Sequence, residues 1–109
     1  MRIRVQKVEE LLKQQISILI REKLPEGLGM VTVTDVQTPP DFKLATVFIA
    51  LIPDDKEREV LAALAKLTPE LQHTLGKQLK MRNTPKLIFK IDRSREEIDK
   101  VEEILKEIK

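Results

Sequence analysis

Between Ile3 and Leu24 the apolar residues Val5, Val8, Leu11, Leu12, Ile16, Leu19 and Ile20 recur at spacings of three and four. That period gathers them on one stripe and predicts an amphipathic helix with a single buried face. Pro25, Gly27 and Gly29 end it. Met30 to Thr38 reads as a strand in which Val31 and Val33 share a face and Val36 changes parity after Asp35, the mark of a β-bulge. Thr38-Pro39-Pro40-Asp41 is the turn. In the stretch from Phe42 to Ile52, Phe42, Leu44, Phe48 and Ile52 fall on one face and Ala45, Val47, Ile49 and Leu51 on the other. A strand apolar on both faces belongs at the centre of a sheet.

Pro53 stops that strand, and Asp54 or Asp55 is placed to cap a helix carrying Val60, Leu61, Leu64 and Leu67. Thr68 and Pro69 then interrupt the pattern as a cap and a first helical residue, which predicts a second helix beyond a sharp junction. This helix carries Leu71, Leu75 and Leu79 and runs to about Met81. After Pro85, the alternation of Leu87, Phe89 and Ile91 predicts a strand, and Ser94 with Glu97 forms a capping box for a last helix through Ile98, Val101, Leu105 and Ile108. The order is α-β-β-α-α-β-α with a kink between the paired helices. A short turn makes the first two strands antiparallel, and the long helical connection suits a parallel third strand. The expected class is α+β, a three-stranded mixed sheet packed by helices. This arrangement is type II KH-like, one of several nucleic-acid-binding folds.

The length of 109 residues fits a single domain, 1–109. With no Cys and one His, disulfide frameworks, thiolate metal sites and cysteine nucleophiles are excluded, and no metal or cofactor is expected. No uninterrupted apolar stretch reaches signal-peptide or membrane-spanning length, so a cytoplasmic protein with no membrane partner is the default.

The net charge of +2 is an average over unlike parts. Residues 68–95 hold seven basic groups against Glu70 and Asp92, a net +5, whereas residues 96–109 hold three basic and six acidic groups, a net −3. A basic run is often a solvated face, but here acids are nearly absent from a stretch flanked by them on both sides. Such a patch suits phosphates, with affinity that falls steeply with salt. Lys77, Lys80, Arg82, Lys86 and Lys90 are the candidate RNA contacts, with Arg93 and Arg95 as additions. Arg82 also projects near the Leu75 face, which leaves a structural role equally open for it. Gly76 inside a helix costs about 1 kcal/mol relative to Ala, and a close approach by another backbone would account for it.

Other residues have plainer readings. His73 lies on a polar face without a second ligand, Ser94 is a cap, and Asp54 and Asp55 suit a helix start. No acid, base or nucleophile cluster is visible, so an enzyme is not expected. The sequence has no Trp or Tyr, and Phe42, Phe48 and Phe89 are embedded in strand patterns that assign them to the core. Backbone and shape recognition of structured RNA is therefore favoured over base stacking.

The stretch Leu75-Gly76-Lys77-Gln78-Leu79-Lys80-Met81-Arg82, followed by Pro85, Leu87, Phe89 and Asp92, resembles the bacterial ribosome-binding factor A family. Met30 to Val36, Asp41 and Leu44-Ala45-Thr46-Val47-Phe48 support the resemblance, which covers nearly the whole chain. It implies a type II KH-like fold and binding to free 30S ribosomal subunits in late assembly. It further implies help in maturing the 5′ region of 16S rRNA, often associated with growth in the cold. A monomer acting on rRNA, with ribosomal proteins as further contacts, is the expectation. Members of the family carry an Ala-x-Gly kink between the paired helices, where this chain has Leu67-Thr68-Pro69. Many relatives continue into a flexible carboxyl tail; this sequence ends at Lys109, so tail-dependent functions are not expected of it. The alternative reading is an adaptor that meets a ribosomal protein through its acidic last helix, Glu96–Lys109.

Overall fold

Two long helices lie on one face of a three-stranded sheet in the computed structural model, which describes residues 2–81, 83–94, 104 and 105. The elements are α1 (Arg2–Lys23), β1 (Met30–Gln37), β2 (Leu44–Ile52), a short 3-10 turn (Asp54–Lys56), α2 (Glu57–Leu79) and β3 (Lys86–Ile91). The sheet order is β1-β2-β3, with β1 antiparallel and β3 parallel to the central β2, as the connection lengths require. The parity change in β1 is a β-bulge: the register shifts between Val33 and Asp35, and the Val36 N–H donates to Asp35 Oδ1 at 2.9 Å.

The core is formed by one face of each element. Leu12, Ile16, Leu19 and Ile20 of α1 and Val60, Leu64, Leu71 and Leu75 of α2 close over Val33, Val36, Ala45, Val47, Ile49, Leu51 and Leu87 of the sheet. Each of these Val, Leu and Ile side chains contributes roughly 1.5–3 kcal/mol by leaving water. Leu11, expected on the buried stripe of α1, lies at its margin and is 43% exposed. The opposite face of β2 is only half-buried at Leu44, Thr46, Phe48 and Ala50, shielded by neighbouring strands and by no helix among the described residues.

Three expectations are corrected. The paired helices are one continuous α2, with Pro69 inside it. Thr68 is not a cap, because its hydroxyl donates back to the Leu64 carbonyl at 2.8 Å. Pro69 and Ala65 are both exposed, so water has access to the site of the lost helical bond, which lowers the cost of a proline at this position. Asp54 and Asp55 do not cap α2 either; they occupy the preceding 3-10 turn, and the cap position is Lys56, without a side-chain cap bond. Finally, the phenylalanines are not the centre of the core. Phe42 precedes β2 with φ 55°, Phe48 is half-buried on the outer sheet face, and only Phe89 packs partly against the core.

Candidate nucleic-acid interface

α2 and β3 run in opposite directions. Arg93, just beyond β3, pairs with Glu57 at the start of α2, with N···O distances of 2.9 and 3.3 Å. At the other end the Leu87 N–H donates to Gln72 Oε1 at 3.1 Å. This pairing sorts the candidate residues. Lys77 and Lys80, on the last turn and cap of α2, and Lys86, at the first residue of β3, are exposed at one end of the molecule. Lys90 is exposed further along the outer sheet face, on the same side as Lys86 by strand alternation. Arg93 stands at the far end, held by Glu57, so it is not part of the same cluster. Arg82 and Arg95 lie outside the described residues, as do all of the last helix except Ile104 and Leu105, which are helical and exposed.

Local structure explains the placement of the cluster. Lys80 has φ 51° and ends α2 in the left-handed conformation, which turns the chain toward β3. Gly76 lets this return pack closely, but against a side chain rather than a backbone: a Cβ at Gly76 would stand 2.5 Å from Thr84 Oγ1. Beyond Asp92 the chain turns again. The Ser94 hydroxyl and N–H and the Thr34 hydroxyl donate to the Asp92 carboxylate at 2.6, 2.9 and 2.6 Å. The Ser94 hydroxyl foremost, then the Thr34 hydroxyl and the Ser94 N–H, hold this carboxyl below the usual range, outweighing burial, which acts the other way. Ser94 is thus bound to Asp92, and its expected box partner Glu97 lies outside the described residues.

Periodicity does not reveal the groove of about 280 Å³ between α2 and β3, whose outer edge is open among the described residues. It is lined by Leu61, Ala65, Thr68, Leu87, Ile88 and Phe89. The Lys86 and Asp92 N–H groups donate toward β2, to the Lys43 and Ile49 carbonyls, so alternation turns the main chain of Leu87 and Phe89 to the open edge. The groove therefore joins an apolar floor to main-chain groups of Leu87 and Phe89, the Leu87 N–H among them already taken by Gln72, with the Ala65 carbonyl that lacks a donor at Pro69 on its helical wall. Of the expected kink residues, Thr68 lines this groove, while Leu67 packs partly against the core. The proline within an apolar helical pattern was the one sequence signal for it. Among the described residues no three His, Asp or Glu side chains converge to hold a metal, and no helix is long and apolar enough to cross a membrane.

Residues 4–105 match the family described as ribosome-binding factor A. The chain belongs to that family. It is 37% identical over 107 residues to ribosome-binding factor A of Brevibacillus brevis, covering 96% of this chain and 88% of the relative. The crystal structure of ribosome-binding factor A from Thermus thermophilus superposes with a TM-score of 0.75 at 24% identity, over 83% of this chain and 97% of that one, which fits the α+β fold. A homology model of Thermus thermophilus ribosome-binding factor A, fitted into the cryo-EM map of its 30S complex, gives a TM-score of 0.70 at 25% identity, over 80% and 93% of the two chains.

Proposed function

We propose that this chain is a ribosome assembly factor that binds the free 30S subunit as a monomer and assists late maturation of the 5′ region of 16S rRNA, without catalysing a reaction itself. The observation that carries the reading is the exposure of Lys77, Lys80 and Lys86 where α2 ends and β3 begins, in a member of the ribosome-binding factor A family. The ammonium groups supply sequence-independent attraction to phosphates, and the groove with its main-chain groups supplies shape. The relative fitted into a 30S complex supports the choice of partner.

The test is co-sedimentation of the full chain with separated 30S subunits across a salt series, comparing the natural sequence with Lys77→Gln/Lys80→Asn/Lys86→Gln. Neutral replacements are chosen because Glu at the end of α2 would also oppose the helix dipole, and Asn tolerates the left-handed position of Lys80. Loss of three phosphate contacts is expected to lower the slope of log affinity against log salt by about 2–3. Unchanged affinity and slope would refute the interface.

A further inference from the structure

The hairpin turn between β1 and β2 lies at the end of the sheet where β3 begins. The Lys86 N–H donates to the Lys43 carbonyl at 3.0 Å, and the Thr38 N–H donates to Glu9 Oε2 of α1 at 2.8 Å, so β3, the turn and the first third of α1 meet here. Phe42 at this turn has φ 55°, a conformation that bulky side chains rarely adopt. Its ring is half-buried, and the Arg4 guanidinium lies 5.9 Å from the ring centroid. That contact holds the Arg4 guanidinium of α1 against the sheet end.

We propose that Arg4 and Lys43 extend the cationic surface of Lys77, Lys80 and Lys86 around the sheet end onto α1, and that Phe42 is the positioning residue for Arg4. The ligand of this extension is the phosphate backbone of RNA; in that respect it rests on the function proposed above. Arg4, Lys43 and Lys86 are all exposed. Lys43 immediately precedes Leu44, the ladder partner of Lys86, so the two lysines leave neighbouring strands at the same end of the sheet. The acids nearby are engaged by main-chain donors: Glu9 by the Thr38 N–H and Asp41 by the Lys43 N–H at 3.1 Å. They shape the turn but keep their charges, so Arg4, Lys43 and Lys86 stand against two carboxylates and this sheet end is cationic by one charge. Charge counting along the sequence passes over Arg4 and Lys43, because their own segments are close to neutral.

Two full-length variants test this by the same 30S salt series. Arg4→Gln/Lys43→Gln removes both charges while keeping a good helix former in α1. It is expected to reduce the salt slope by about 1.4–1.8. Phe42→Asn removes the ring at a left-handed position that Asn accepts, so the turn is retained. Because both charges persist, it is expected to weaken binding about two- to fivefold with the slope unchanged. Thermal melts confirm that both variants fold. If the Lys77/Lys80/Lys86 variant loses slope and Arg4→Gln/Lys43→Gln does not, the interface stops at β3 and the extension is wrong while the proposed function stands. If neither variant changes binding, the phosphate reading fails as a whole. Phe42→Asn binding like the natural sequence would remove Phe42 from its positioning role.

Discussion

Replacing Gly76 with Ala sets two effects of similar size against each other. An alanine in a helix interior gains about 1 kcal/mol over glycine. Here the new methyl group would lie 2.5 Å from Thr84 Oγ1, inside the 3.0 Å limit that real Cβ contacts essentially never cross. Thr84 must leave its rotamer or the return loop must move by at least half an ångström, at a cost of about 1–3 kcal/mol. The Thr84 Cβ itself is 3.8 Å away, an ordinary contact, so Thr84→Ala removes the clash without moving the backbone. The informative quantity is therefore the coupling. Gly76→Ala is expected to be neutral to destabilising in the natural background and stabilising by about 0.5–1 kcal/mol in the Thr84→Ala background, a coupling of about 1–2 kcal/mol. Urea unfolding of the four proteins measures it, and thermal melts should show it as a displacement of several degrees. A coupling below about 0.3 kcal/mol would mean that α2 and the return loop do not approach as described, and with them the placement of Lys80 beside Lys86 would fall.

Pro69→Ala restores the N–H that the Ala65 carbonyl lacks. It is expected to raise stability by about 1–3 kcal/mol in urea unfolding, since both positions are exposed and nothing else is lost; a fall in stability would show that the proline fixes the groove wall. The Asp92 carboxyl is held below its ordinary value of 3.8, so the unfolded chain binds the proton more tightly. The stabilisation this supplies is complete above the ordinary value and is lost as pH falls through the lowered one. Thr34→Val removes one donor, and the stability gap between it and the natural sequence is expected to narrow from pH 7 to pH 3; a gap independent of pH would refute the linkage.

Much of the architecture was legible because period is a local property. The stripe of α1, the bulge in β1, the central place of β2 and the parallel β3 all followed from spacing and connection length. Pro69 was misread as a helix start for the same reason. Thr68-Pro69 is a valid local beginning for a helix, and only the packing of Leu64, Leu71 and Leu75 on one core face makes a continuous α2 preferable despite the lost bond. The aromatic residues failed similarly: strand parity places Phe48 on a face of the sheet, but not on the face that the helices cover.

For the interface, the sequence by itself determined which cations are dense along the chain, because charge is additive over a segment. It had no means of separating Arg93, which Glu57 engages at the start of α2, from Lys77, Lys80 and Lys86, which lie at the opposite end. The proposed extension to Arg4 and Lys43 was equally out of its reach, since these residues come to one end of the sheet only through the hairpin turn, α1 and β3. Composition, with no Trp or Tyr, favoured phosphates over stacked bases as the expected ligand. The tertiary structure decided which charges lie at the same end of the molecule, because electrostatic attraction depends on separation in space and the antiparallel run of α2 and β3 sets that separation.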